Sequence, residues 1–209
     1  MKKKILILAG GYSKERDISL KTAKAVYTQI KKNYKCNILD PSNNFVDRIR
    51  KFNPDVVFNA LHGRYGEDGF IQLILENEKI KYTHSGVRAS SICINKIISK
   101  EIFDKNNILT PKYLILNENS KNNLIKIFKK IEKKLKFPVV IKPINEGSSV
   151  NVFICTKLNI LKNLRFLQEY KKIIIEQFIP GREIQAAIIG KQKLGAIELK
   201  PKRKFYDYQ

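Results

Sequence analysis

Between Lys4 and Thr83, short β-branched runs alternate with stretches whose apolar residues recur every three to four positions. This alternation constrains the fold most. Strands separated by helices pair in parallel, and the helices cover the sheet. Strands are expected at Lys4–Ala9, Lys35–Leu39, Val56–Leu61 and Ile80–Thr83. A helix is expected over Ile18–Lys32, with Asp17 as its cap and Ala23, Val26, Tyr27 and Ile30 on one face. Phe45–Phe52, stopped by Asn53-Pro54, and Phe70–Asn77 complete the helical layer. Ligands of such sheets sit beyond the carboxyl ends of the strands, where Gly10–Asp17 and His62–Gly69 lie.

The second half of the chain follows a different pattern. Short helices at Val87–Ile92 and Asn95–Asn106 lead to a domain boundary near residues 94–110. A strand at Tyr113–Leu116 precedes a helix at Asn119–Leu135, whose stripe is Leu124, Ile127, Phe128, Ile131 and Leu135. Pro138–Asn151 then reads as strand, turn and the start of a second strand, Val150–Cys155. Val139–Ile141 is the buried part, Lys142-Pro143 ends it, and Glu146-Gly147-Ser148-Ser149 makes the turn. Such a turn can aim N–H groups and two hydroxyls at phosphate oxygens, with Lys142 adding a positive charge. The same residues alone also fit a hairpin turn with solvated serines. A helix at Leu158–Tyr170 and strands at Lys172–Gln177, Ile184–Ile189 and Lys193–Leu199 follow.

Composition narrows the class. The 209 residues are 43% hydrophobic, enough for a real core. No apolar run reaches the roughly 18 residues needed to cross a bilayer. The seven apolar or small residues after Lys4 are too few for a signal-peptide core, so a cytoplasmic chain with no membrane partner is expected. Cys36, Cys93 and Cys155 are scattered and read as free thiols. The net charge of +22 raises nucleic-acid binding. The lysines, however, are spread over element ends without interleaved aromatic platforms, so no nucleic-acid partner is expected. Abundant Ile, Asn and Lys is the composition of an AT-rich gene.

Several residue clusters could carry chemistry. His62-Gly-Arg-Tyr-Gly-Glu-Asp-Gly69 follows a buried strand and either presents binding groups or simply caps the next helix through Asp68. Glu15 follows a Gly-Gly turn that is not a dinucleotide fingerprint, and its position near a helix start is favourable in itself. Glu176 and Glu183 flank Gln177-Phe178-Ile179, which could hold an adenine and ribose or could be a polar strand end. Lys96 and Lys100 open a helix, where lysines are commonly solvated.

Taken together, these pieces resemble the D-alanine–D-alanine ligases of the ATP-grasp superfamily. The matching blocks are GGYSKERDISL (10–20), VFNALHGRYGEDGFIQ (57–72), YTHSGVRAS (82–90), NKIISK (95–100), FPVVIKPINEGSSV (137–150), IEQFIPGRE (175–183) and FYDY (205–208). The resemblance implies an α/β fold. Residues 1–94 would form an N-terminal Rossmann-like substrate domain, and residues 95–209 an ATP-grasp α+β domain that is incomplete at its C-terminus. It implies a reaction in which ATP phosphorylates the carboxylate of one D-alanine and the amine of a second attacks the acyl phosphate. By position, Glu15 would order the first D-alanine in a network with Ser148, and His62 would lie near that substrate's carboxylate. Lys96 and Lys142 would bind phosphates, and Ser148, Ser149 and Val150 would form the glycine-rich loop over them. Glu176, Gln177, Phe178, Ile179 and Glu183 would line the adenosine pocket. The clusters around Glu15/His62 and Lys142/Ser148 would have to share one cleft.

Two departures stand out. Asn151 occupies a position where the family usually has glycine. The sequence also stops within the FYDY segment, so the family's lid lysine and tyrosine, its Mg²⁺ (or Mn²⁺) ligands and its arginine find no counterpart here. The 209-residue chain alone is therefore expected to be inactive, with no metal ligands of its own. The alternative is a non-catalytic remnant that binds nucleotide or amino acid. Second substrates other than D-alanine, namely D-lactate or D-serine, and a homodimer through the N-terminal domain are compatible with the resemblance.

Overall fold

The computed structural model describes residues 2–41, 44–118, 123–147 and 149–200. The chain divides into two compact units, Met1–Ile108 with Ile144–Gly147, and Leu109–Pro143 with Ser148–Gln209.

The first unit is built on a three-stranded parallel sheet of β1 (Lys4–Leu8), β2 (Lys35–Leu39) and β3 (Val56–Asn59), in the order β2-β1-β3. The register pairs Leu6 with Asn37 on one side and with Val57 on the other. The crossovers are α1 (Arg16–Ile30) and α2 (Phe45–Phe52), and α3 (Phe70–Asn77) follows β3. After Lys4, β1 is apolar because both of its faces are buried. Leu6 and Leu8 join Leu39, Ile49, Val57, Ile71 and Leu75 on the α2/α3 side. Ile7 and Ala9 join Ala23 and Ala60 on the α1 side. Each such fully buried Leu or Ile contributes about 1.5–3 kcal/mol relative to exposure.

Two local expectations are corrected. Ile80–Thr83 is not a fourth strand, and only an isolated parallel bridge joins Val57 to Tyr82. A side chain interrupts the ladder there. Asn59 N–H donates to Thr83 Oγ1 (3.0 Å) rather than to a backbone carbonyl. The chain then turns away at His84, which has a φ of 79°. Asp17 does not cap α1. It lies in the first turn, and Glu15 holds the cap position without a side-chain cap bond. After α4 (Val87–Ile94), Asn95 caps α5 (Lys96–Lys105), its Oδ1 accepting the Ile97 and Ile98 N–H groups.

The second unit has a four-stranded antiparallel sheet with the order β4-β7-β5-β6. Its strands are β4 (Tyr113–Asn117), β5 (Val139–Pro143), β6 (Phe153–Cys155) and β7 (Lys172–Gln177). Helices α6 (Leu124–Lys134) and α7 (Ile160–Phe166) cover one face. Ile127, Ile131 and Leu135 meet Leu114, Leu116, Val139, Ile141, Ile173 and Ile175 there. The helix read from residue 119 begins at Leu124 in the structure, residues 119–122 lying outside the described set. β8 (Glu183–Ile189) and β9 (Gln192–Leu199) pair as a separate antiparallel hairpin with largely exposed side chains. Among the described residues no helix is long and apolar enough to cross a membrane.

Candidate functional site

Glu15 is 5% exposed, and its Oε1 has no hydrogen-bond partner among the described residues. The chain is fixed around it. Glu15 N–H donates to Ser13 Oγ at 3.1 Å, and Glu15 O accepts the Ser19 N–H at 3.0 Å. The Ser19 hydroxyl accepts the Gly10 N–H (2.8 Å) and donates to Ala60 O (2.7 Å), tying α1 to the ends of β1 and β3. Two glycines let backbone approach the carboxylate. A Cβ on Gly63, whose φ is 63°, would stand 2.8 Å from Glu15 Oε2, and one on Gly147 would stand 3.6 Å away. The result is a buried carboxylate oxygen without a partner among the described residues, which a cationic group such as an amine would satisfy.

His62 lies at the next strand end. Its Nε2 is 3.3 Å from Thr22 Oγ1 and its Nδ1 is 3.6 Å from Glu67 Oε1. The loop behind it is held by its own carboxylates. Glu67 Oε2 accepts the Gly63 N–H (2.9 Å), and Asp68 accepts the N–H groups of Tyr65 (2.9 Å) and Phe70 (3.1 Å). A cleft of about 830 Å³ opens beside this loop, lined by Gly11, Tyr12, Phe45, His62, Arg64 and Tyr65 among others.

Lys96 is drawn to backbone rather than left solvated. Its Nζ donates to the carbonyl of Glu146 and to that of Ile144 (3.4 Å), while its N–H donates to Ile144 O (3.1 Å). It thereby holds the Ile144–Gly147 segment that brings Gly147 toward Glu15.

In the second unit, Lys142 and Glu176 form an ion pair on the sheet face opposite α6 and α7. Strand alternation places them together. Lys142 pairs in register with Ile174, two residues from Glu176, so both project to the same side. The pairing depends on strand register and is not visible in the motif letters. Ser149 is half-buried with a φ of 60°, and Val150 follows in the same turn. Gln177 ends β7. Its N–H donates to Lys112 O (2.9 Å) and that of Phe178 to Pro138 O (3.2 Å), so these two donors are engaged within the unit. Ile179 is exposed, and Glu183 is the exposed first residue of β8. Ser148 and the FYDY block at 205–208 lie outside the described residues.

Sequence reasoning missed two supports of the first site. Asp40, at the end of β2, accepts the Gly11 N–H (2.9 Å) and pairs with Arg16, whose Nη1 also donates to Gly11 O (3.0 Å). Burial pushes the Asp40 carboxyl up, but the Arg16 hydrogen bond, the Gly11 N–H and nearby positive charge outweigh it and hold the group below the usual carboxylate value. The other support is a pair of buried amides. Asn59 Nδ2 and Gln72 Nε2 both donate to Gly66 O at 2.8 Å. The visible signal was a lone Asn in an otherwise apolar strand. Among the described residues no three His, Cys, Asp or Glu side chains converge as a metal site, and no step is assigned to a metal on them.

Residues 102–209 match the family model described as D-ala D-ala ligase C-terminus. The chain is 63% identical to the D-alanine–D-alanine ligase of Pelagibacter ubique, over all of this chain and 68% of that protein. Among solved structures, it resembles the D-alanine–D-alanine ligase of Bacillus anthracis at TM-score 0.83 and 33% identity, covering 99% of this chain and 67% of that one. It also resembles the ATP complex of the B. anthracis ligase at TM-score 0.77 and 30% identity, covering 97% and 68%. The chain thus spans about two thirds of the length of these relatives.

Proposed function

Because the chain belongs to the D-alanine–D-alanine ligase family, we propose that the whole protein uses ATP to join two D-alanines into the dipeptide of peptidoglycan. The γ-phosphoryl group passes to the carboxylate of the first D-alanine. The amine of the second attacks that acyl phosphate, and the tetrahedral intermediate expels phosphate. Charge accumulates on oxygen at each step, so fixed cations and N–H donors are the groups that stabilise it.

The observation that carries this reading is the buried Glu15 carboxylate, whose Oε1 has no hydrogen-bond partner among the described residues and whose Oε2 faces Gly63 and Gly147. It orders the ammonium of the first D-alanine, with Ser148 as partner and His62 near the substrate carboxylate. Lys96, Lys142, Ser149 and Val150 bind phosphate oxygens. Glu176, Gln177, Phe178, Ile179 and Glu183 surround the adenosine. On this reading the Lys142–Glu176 pair is a resting contact, which the nucleotide's phosphate and ribose divide between them. Residues 1–94 act as the substrate domain and 95–209 as part of the nucleotide domain, with Mg²⁺ or Mn²⁺ required by the complete enzyme. A homodimer through the first unit, in the cytoplasm, belongs to the same reading.

A second reading follows from the chain's two-thirds span of its relatives. It is binding of D-alanine and ATP without turnover by the 209-residue chain. Calorimetric titration of that chain with each ligand, alongside an assay for ADP and dipeptide, tests this second reading, and the same assay on the full-length protein tests the first. Binding of both ligands without dipeptide is the expected result. Glu15→Gln loses D-alanine binding by about tenfold or more and keeps ATP. Unchanged D-alanine affinity in that variant would remove the basis of the site.

A further inference from the structure

Asn151 lies in the turn between β5 and β6 and has a φ of 55°. With Ser149 at 60°, two residues of three are left-handed, and the Val152 N–H closes the turn on Ser149 O (3.3 Å). Glycine takes such angles without steric cost, and asparagine is among the few other residues that tolerate them. The asparagine side chain also does what glycine cannot. Its Nδ2 donates to the Tyr170 hydroxyl at 2.6 Å. The Tyr170 ring packs against the core of the second unit, and its N–H is held by Leu167 O (3.2 Å). The acceptor is therefore fixed from two directions, and the donor sits on the turn.

We propose that Asn151 and Tyr170 form a positioning pair that holds the Ser149–Val150 turn in its left-handed shape for a nucleotide's phosphates. This rests on the reading of that turn as part of the nucleotide site. A phosphate meeting a turn already in shape orders fewer groups on binding, and such preorganisation strengthens affinity. The pair acts through the turn and touches no reacting atom.

The test uses the 209-residue chain with Tyr170→Phe, Asn151→Gly and the double variant. Tyr170→Phe keeps the ring in the core and removes only the hydroxyl. Asn151→Gly keeps the positive φ, removes the amide and also frees the backbone. Two quantities are read: hydrogen exchange of the Val150, Asn151 and Val152 amides (residue 151 as Asn or Gly) without ligand, and the Kd for ATP. Each single variant is expected to speed exchange by roughly threefold to tenfold and to weaken ATP by a similar factor. The double variant should behave like Asn151→Gly alone, because once the amide is gone the Tyr170 hydroxyl has no contact with the turn left to lose. Unchanged exchange in Tyr170→Phe, or a double variant whose effects multiply, overturns the pair. Faster exchange with one Kd for all four proteins overturns its role in phosphate binding. A wild-type chain that binds no ATP defeats the nucleotide reading, and the exchange result still decides whether the pair holds the turn.

Discussion

Asp40 accepts the Gly11 N–H and pairs with the Arg16 guanidinium, whereas the more deeply buried Glu15 leaves one oxygen without a hydrogen bond among the described residues. The first arrangement stabilises the turn, and the second keeps a charge available for a ligand at some cost to the free protein. The Asp40 carboxyl is held below its ordinary value, so its contribution has a definite sign with pH. A depressed folded value gives stability that is fully present above the unfolded value of about 3.9. That stability is lost as pH falls through the folded value. Asp40→Asn should therefore lower the melting temperature at pH 7 and flatten its fall between about pH 5 and pH 2, with Arg16 left unpaired. Melting curves across that range check this, and parallel acid limbs for the two proteins would contradict it. Because more than a third of the Asp40 side chain is exposed, the effect is expected to be modest.

At the scale of elements, the helices and strands whose apolar spacing was clean were legible, Phe45–Phe52, Phe70–Asn77 and Lys172–Gln177 to the residue. Ile80–Thr83 was misread because its letters suit a strand while its hydrogen bonds do not. Lys81 O accepts the Val57 N–H (2.8 Å) and Thr83 N–H returns to Val57 O (3.0 Å), after which the Thr83 hydroxyl replaces the next carbonyl. Side-chain substitution for a ladder bond leaves no trace in hydrophobic periodicity. The Asn59/Gln72 clamp and the Asp40 clip were invisible for a similar reason, since each joins residues whose partners are fixed by the fold rather than by spacing. The motif letters gave Glu15, His62 and the Lys142 turn as candidates, but not the pairing of Lys142 with Glu176, which depends on strand register. Thr83→Val keeps the side-chain shape and removes the acceptor of the Asn59 N–H. It should cost about 1–2 kcal/mol in urea unfolding, with Thr83→Ser restoring most of it. Equal stability of the Val variant and wild type would show that the hydroxyl is not needed there.

At the scale of the whole chain, the apolar interior is in separate pieces. Leu6, Ile7, Ile49 and Leu75 belong to clusters of the first unit, and Ile131, Ile141, Ile160 and Ile173 to the cluster of the second, with no residue in common. A single folding free energy need not describe such a chain. Ile7 and Ile173 are both fully buried, each within one sheet. Truncating either to alanine removes comparable apolar surface and leaves a cavity, at about 2–5 kcal/mol. Ile7→Ala should lower one transition in scanning calorimetry and Ile173→Ala the other, each variant leaving the second transition near its wild-type temperature. Both units carry a net positive charge, so added salt should raise both transitions by screening self-repulsion without changing which variant moves which. If both substitutions shift one common transition by the same amount, the two clusters unfold as a single cooperative body and the division into units has no energetic meaning.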